Sequence, residues 1–126
     1  MNRPYHILLV EDLPSDAYLI EREINKILKP YEIKIVETQK DYLTALEEFK
    51  PDIILSDYCL PGFNWLTAFR IIMVSAPQTP FIIVTGSKNP SIVSEFMKAG
   101  VTGYVCKDNI NELGPAILNA LEKITF

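Results

Sequence analysis

The sequence predicts one α/β domain over residues 1–126, in which five parallel strands form a sheet covered by helices on both faces. Short apolar runs alternate five times with stretches whose apolar residues recur at helical spacing. Such alternation requires right-handed crossovers, which place helices on both sides of a sheet. A chain of 126 residues without a linker, repeat or low-complexity tract also suits a single core.

The first half of the chain supplies two strands and two helices. Tyr5–Val10 is an apolar run that predicts a buried strand, and Pro14 suits the first turn of the helix that follows. Pro30 ends that helix, and Pro51 ends the second. Tyr31–Val36 alternates apolar and polar residues, so this strand should lie at a sheet edge with one wet face. The apolar positions that define the helices are Ala17, Ile20, Ile24, Ile27 and Leu28, then Leu43, Leu46 and Phe49.

The second half supplies three strands and three helices. Ile53–Leu55, Phe81–Val84 and Thr102–Cys106 predict the strands. Gly100 suits a left-handed helix terminator, and Pro115 must fall early in the last helix, since a proline further in would kink it. The helical positions are Leu66, Phe69, Ile72 and Met73; Ile92, Val93, Phe96 and Met97; and Ile110, Leu113, Ile117, Leu118 and Leu121.

With the second strand at an edge, the simplest strand order is 2-1-3-4-5. The unbroken apolar runs of the first, third and fourth strands fit strands that are buried on both faces. The predicted architecture is therefore a flavodoxin-like (βα)5 three-layer sandwich.

Composition and charge exclude several classes of protein. The net charge of -4 lacks the basic excess that a nucleic-acid or anionic-membrane binder needs. No apolar run approaches the ~18 residues of a membrane span, and Glu11 and Asp12 interrupt the first apolar run too early for a signal peptide. The two cysteines form neither a metal motif nor a disulfide framework. We expect a cytoplasmic chain with no direct nucleic acid binding and no membrane insertion.

The residues that end the predicted strands are the candidates for function. Glu11 and Asp12 follow the first strand, and Asp57 ends the third. Thr85 follows the fourth strand and Lys107 the fifth. Function in an open parallel sheet lies beyond the carboxyl ends of the strands, near the point where the strand order reverses. Because the first and third strands are neighbours in the proposed order, we expect the three carboxylates in one small volume.

This set of side chains suits phosphoryl transfer to a carboxylate. Three close carboxylates repel one another, and a hard divalent cation relieves the repulsion. Mg²⁺ suits the site because it takes one or two protein carboxylates and keeps waters and a phosphoryl oxygen. Lys107 adds a positive charge that binds phosphate, and Thr85 offers a hydroxyl donor. Asp57 is the expected nucleophile, because it lies between the first and fourth strands.

Four motifs occur in order along the chain, and together they are highly specific. They are Leu8-Leu9-Val10-Glu11-Asp12, Ile54-Leu55-Ser56-Asp57 with Leu60-Pro61-Gly62, Ile83-Val84-Thr85-Gly86, and Gly103-Tyr104-Val105-Cys106-Lys107. On these motifs the whole chain resembles the receiver domain of a two-component response regulator.

The resemblance implies that Asp57 accepts a phosphoryl group from the phosphohistidine of a histidine kinase or phosphotransfer domain. Lys107 and Thr85 would bind the acyl phosphate, and Tyr104 would be an aromatic switch that turns inward when Thr85 moves. The changed surface, formed by the fourth helix, fifth strand and fifth helix, would then contact an output domain or partner protein. Such a chain phosphorylates and dephosphorylates itself, and is not an enzyme that turns over a separate substrate.

The resemblance also implies the metal ligands. Glu11, Asp12, Asp57 and the backbone carbonyl of Cys59 would hold Mg²⁺, or Mn²⁺ in its place, directly or through water. We further expect either a stand-alone regulator or a receiver cut from a larger protein such as a hybrid histidine kinase.

Two positions depart from the family pattern and keep one alternative open. Asp108 stands where many receivers have proline, and Trp65 where the family usually has glycine. The alternative is a phosphorylation-independent pseudo-receiver that acts only as an interaction module. Two enzyme classes are disfavoured. A flavodoxin needs a phosphate loop in place of Glu11 and Asp12, and a haloacid-dehalogenase-like phosphatase needs a second aspartate where Cys59 stands.

Overall fold

A computed structural model describes residues 3–28, 30–58, 60–87 and 89–122. A five-stranded parallel sheet of order β2-β1-β3-β4-β5 lies between two layers of helices, which confirms the predicted flavodoxin-like fold. The strands are β1 Tyr5–Val10, β2 Tyr31–Val36, β3 Ile53–Asp57, β4 Phe81–Thr85 and β5 Gly103–Cys106. The helices are α1 Pro14–Ile27, α2 Gln39–Glu48, α3 Trp65–Ser75, α4 Pro90–Ala99 and α5 Leu113–Glu122.

The sheet separates two apolar layers. Successive side chains of a strand point to opposite faces, so each buried strand contributes to both layers. Leu8 of β1 packs with residues of α2, α3 and α4 on one side, which we call the α2–α4 layer. Its neighbour Leu9 packs with residues of α1 and α5 on the other side, the α1–α5 layer. Burial on both faces explains why β1, β3 and β4 are unbroken apolar runs.

Strand register brings the carboxyl ends of the strands to one edge of the sheet. Val10 of β1 pairs with Ser56 of β3, and Asp57 pairs with Val84 of β4. Thr85 in turn pairs with Cys106 of β5. The residues that end each strand therefore lie side by side.

Helix ends follow the local sequence. The side chains of Thr38, Asn64 and Asn89 accept hydrogen bonds from backbone N–H groups in the first turns of α2, α3 and α4. Gly100 ends α4 with a φ of 92°, in the left-handed region, as predicted.

The start of the last helix differs from the prediction. Residues Lys107–Glu112 form a 3₁₀ segment with a non-helical Asn109, and α5 begins only at Leu113. Ile110 therefore belongs to the 3₁₀ segment and not to the last α-helix. Pro115 explains why the α-helix does not include residues 107–112. It has no backbone N–H, so it cannot donate the α-helical hydrogen bond to a carbonyl of the preceding turn. In the first turn of α5 that missing donor costs nothing.

β2 is an edge strand, as its alternating sequence predicted. The alternation is imperfect, since Ile33 packs in the α1–α5 layer while Ile35 is 45% exposed. An edge strand has a neighbour on one side only, so its carboxyl end is less covered.

Within the described residues, no helix is both long and apolar enough to cross a membrane.

Candidate functional site

Three carboxylates meet at the carboxyl ends of β1 and β3. Glu11, Asp12 and Asp57 each offer an oxygen, and these three oxygens lie within 4.8 Å of one another. Glu11 and Asp57 are buried, whereas Asp12 is half-buried. The structure thus brings together the three acids that the sequence analysis placed in one volume.

The pleat of the sheet aims three of the charged residues toward the same side. Glu11, Asp57 and Lys107 each stand two residues after a strand residue that packs in the α1–α5 layer. Those strand residues are Leu9, Leu55 and Val105. The charged side chains therefore lie on the side of the sheet that α1 and α5 cover, just beyond the apolar residues of that layer.

Lys107 lies beside these acids and contacts three carboxylates, two from this group and that of Asp16. Its Nζ donates to Asp16 Oδ2 at 2.6 Å and to Glu11 Oε1 at 3.2 Å. It is 3.5 Å from Asp57 Oδ2. One positive charge thus faces several negative ones, and the site carries an excess of negative charge.

The electrostatics follow from burial and crowding. Burial raises the pKa of the Glu11 carboxyl to about 7, and the charge of Asp57 adds to the effect. The positive charge of Lys107 and the N–H of Leu13 oppose this rise in the pKa of Glu11. Burial lowers the pKa of Lys107, but its bond to Asp16 and the charges of Asp57 and Glu11 outweigh burial and leave that pKa raised. The site is poor in positive charge when no cation is bound.

The donor set fits a hard divalent cation. Carboxylate oxygens are the ligands that Mg²⁺ and Mn²⁺ prefer, and a cation between Glu11, Asp12 and Asp57 would cancel their repulsion. Cys59, whose carbonyl was the fourth predicted ligand, lies outside the described residues.

Thr85 and Tyr104 lie toward the other layer. Thr85 ends β4 and is buried, and its Oγ1 accepts a hydrogen bond from the backbone N–H of Ser87 at 3.0 Å. Tyr104 of β5 pairs with Ile83 of β4, and the residue is 42% exposed. The two predicted switch residues are thus on adjacent strands, with the Tyr104 ring facing outward.

An aromatic cluster fills the space beneath α4. Phe96 is its centre: its ring centroid lies 5.1 Å from Trp65, 5.5 Å from Tyr58 and 6.2 Å from Tyr104. Trp65, which stands where the family usually has glycine, is only 4% exposed. Its ring therefore packs inside the protein and offers no large contact surface. Asp108, the other departure, is exposed in the 3₁₀ segment that follows β5.

Asp16 is the residue of this site that the sequence analysis missed. It stands in the first turn of α1, where an acid is ordinarily explained by the helix dipole. One signal was available: Asp16 precedes Ala17 and lies one turn before Ile20, both on the buried face of α1. Asp16 therefore stands beside the buried face of α1, at the end of the helix that lies nearest Glu11 in the chain, and was a candidate partner for Lys107.

Comparisons with known proteins find relatives of this chain. The family model of the response regulator receiver domain matches residues 7–118. The uncharacterized transcriptional regulatory protein YvcP of Bacillus subtilis is 41% identical over 125 residues, covering 97% of this chain and 50% of YvcP. Response regulator GacA of Pseudomonas aeruginosa is 30% identical over 97 residues, covering 74% of this chain and 45% of GacA.

Solved structures show the same fold. A signal receiver domain from Vibrio parahaemolyticus has a TM-score of 0.83 at 26% identity, with 96% of this chain and 92% of that chain covered. A response regulator receiver domain protein from Methanospirillum hungatei has a TM-score of 0.81 at 22% identity, with 96% of each chain covered.

The chain spans about half the length of these two curated relatives. Receiver domains bind a divalent metal ion at an acidic pocket, and such a pocket is formed here by Glu11, Asp12 and Asp57. On the family match over residues 7–118, the chain belongs to the response regulator receiver domain family.

Proposed function

We propose that this chain is a phosphoacceptor receiver in which Asp57 takes a phosphoryl group from the phosphohistidine of a histidine kinase or phosphotransfer domain. The observation that carries the proposal is the meeting of Glu11, Asp12 and Asp57 within 4.8 Å, with Lys107 Nζ 3.5 Å from Asp57. A crowded group of acids with one lysine binds a cation and an anion together, which is the requirement of phosphoryl transfer.

The transfer forms one bond and breaks another. A carboxylate oxygen of Asp57 attacks phosphorus, the P–N bond of the phosphohistidine breaks, and the imidazole nitrogen leaves with the electron pair and takes up a proton. Lys107 neutralises charge that develops on the phosphoryl oxygens. Water then attacks phosphorus, the bond between the Asp57 oxygen and phosphorus breaks, and inorganic phosphate and the free carboxylate are released. The chain thus phosphorylates and dephosphorylates itself and turns over no separate substrate.

The metal ligands in this proposal are Glu11, Asp12, Asp57 and the carbonyl of Cys59. Bound Mg²⁺, or Mn²⁺, supplies positive charge that offsets the repulsion between an anionic phosphodonor and the acids. Strand pairing with Val84 keeps the nucleophile Asp57 in place.

Thr85 and Tyr104 form the proposed switch. Thr85 Oγ1 accepts a bond from Ser87, so its own hydroxyl proton is available to donate to a phosphoryl oxygen. Movement of Thr85 toward that oxygen opens space beside β4 for the Tyr104 ring. Phosphorylation adds about -1.5 to -2 charge and three acceptor oxygens, which supplies the driving force.

The partners follow from the same surface. Exposed Met97 of α4, Tyr104 of β5 and Leu118 of α5 lie on the elements of the proposed contact face. We propose that this face meets an output domain or partner protein, and that residues 1–126 act as one cytoplasmic receiver without contacting nucleic acid directly.

Acetyl phosphate tests the proposal without a cognate kinase. With Mg²⁺, intact mass spectrometry should show the wild type gaining the mass of one phosphoryl group, and Asp57→Asn should gain none. Asp52→Asn is the matched control, because Asp52 lies just before the opposite end of β3 and should leave labelling intact. If the wild type stays unmodified, or Asp57→Asn is labelled equally, the pseudo-receiver alternative is correct.

A further inference from the structure

The shortest contact of Lys107 is with a residue outside the metal-binding acids. Its Nζ is 2.6 Å from Asp16, compared with 3.2 Å from Glu11 and 3.5 Å from Asp57. The ammonium therefore lies nearer to α1 than to the proposed nucleophile. Neither the family's motifs nor the proposed mechanism assigns a role to Asp16.

The fold holds this contact in place. Asp16 stands in the first turn of α1, and Lys107 begins the 3₁₀ segment that follows β5. The side chains are 25% and 20% exposed, so solvent screens this ion pair less than it screens a surface pair. The pair thus joins α1 to the 3₁₀ segment, whose Lys107 lies 3.5 Å from Asp57.

An ammonium has only three N–H donors, and here three carboxylates surround it. A phosphoryl group on Asp57 needs one of these donors, and Asp16 competes for it. Without Asp16, the ammonium would be drawn to Glu11 and Asp57 alone, where it would compete with a metal ion. Asp16 therefore raises the affinity of the site for the cation and lowers its affinity for the phosphoryl anion.

We propose that Asp16 is a positioning residue that draws Lys107 away from Asp57, which favours metal binding and weakens the hold on the phosphoryl group. This inference rests on the proposed function. In the unphosphorylated protein Asp16 keeps Asp57 open to Mg²⁺. In the phosphorylated protein it draws Lys107 away from the acyl phosphate.

The variant Asp16→Asn removes the charge and keeps the size of the side chain. We expect its affinity for Mg²⁺ to fall about fivefold, and its affinity for beryllofluoride at saturating Mg²⁺ to rise about fivefold, the size of one partly exposed ion pair. A merely structural role of Asp16 would weaken both. Asp16→Ser tests the same loss of charge if the asparagine variant folds poorly.

Isothermal titration calorimetry measures both affinities on the same chain, first with Mg²⁺ and then with beryllofluoride. Asp16→Glu retains a carboxylate and should restore wild-type values. Asp41→Asn is the matched control, because Asp41 stands in the first turn of α2 and is exposed. It removes the same charge from the same helical position, away from Lys107.

Opposite shifts in Asp16→Asn, with wild-type values in Asp41→Asn and Asp16→Glu, support the inference. Any other pattern overturns it, including two losses, two gains or no change. A wild type that binds Mg²⁺ and beryllofluoride while the variant fails the pattern leaves the proposed function intact. A wild type that binds neither ligand overturns the proposed function and this inference with it.

Discussion

The two faces of the sheet differ sharply at the carboxyl ends of the strands. On the α1–α5 side, Glu11 and Asp57 crowd around Lys107. On the α2–α4 side, Phe96 and its aromatic neighbours fill the space with apolar contacts. The carboxylates on the first side repel one another, and a cation would relieve that repulsion. The aromatic rings on the second side stabilise the fold by packing, without any ligand. We expect removal of a side chain to stabilise the protein on one side and to destabilise it on the other.

The largest effect is expected on the aromatic side, from Phe96→Ala. Phe96 is fully buried and contacts three aromatic rings, so the variant should lose about 3–5 kcal/mol of the free energy of unfolding. Urea unfolding followed by circular dichroism measures this loss. Phe96→Leu, which keeps most of the volume, is the control and should cost about 1.5 kcal/mol or less. A loss in Phe96→Ala no greater than in Phe96→Leu would contradict the packing role.

On the charged side, Asp57→Asn should raise the free energy of unfolding in metal-free buffer at neutral pH. The variant removes a charge that raises the pKa of buried Glu11, and Lys107 keeps its bonds to Asp16 and Glu11. We expect a gain of about 1 kcal/mol. Saturating Mg²⁺ should reduce or reverse the gain, because it stabilises the wild type more than the variant. Destabilisation by Asp57→Asn without metal would show that the crowded acids are not a cost to folding.

An effect of similar size and opposite sign is expected from Asp52→Asn, near the amino end of β3. Asp52 accepts bonds from the Arg3 guanidinium and from the backbone N–H of His6 at 2.7 Å. Burial raises the pKa of Asp52, but these two donors outweigh burial and leave that pKa below its ordinary value of 3.8. Loss of the carboxylate charge should cost about 1 kcal/mol at neutral pH. Here an acid is paired rather than crowded, so its removal destabilises.

The pH dependence gives the sign of the Asp52 effect. Because folding lowers this pKa, the stabilisation is present above the unfolded value and is lost as the pH falls through the folded value. The difference between wild type and Asp52→Asn should therefore vanish in strongly acidic buffer. Chemical unfolding at a series of pH values tests this expectation. Arg3→Met should cost less, since Arg3 is largely exposed. A difference that stays constant with pH would argue against the charge interaction.

Most of the fold could be predicted, because hydrophobic periodicity depends on neighbours in the chain. The unbroken apolar run of β1 and the alternation of β2 gave the strand order, and Gly100 gave the end of α4. The 3₁₀ segment Lys107–Glu112 was missed because helical spacing alone does not separate a 3₁₀ turn from the first turn of an α-helix. Pro115 was the signal that could have separated them, because a proline is tolerated in the first turn of an α-helix and not further in.

The sequence by itself determined the order of the strands and which charged residues end them, because both follow from residue types at fixed spacing. Only the tertiary structure decided how those charges pair. Asp16 and Lys107 are 91 positions apart, and their contact depends on how α1 and the start of the 3₁₀ segment pack beside the same strands. The outward Tyr104 ring and the burial of Trp65 were likewise decided in three dimensions, since each depends on the space that Phe96 leaves beneath α4.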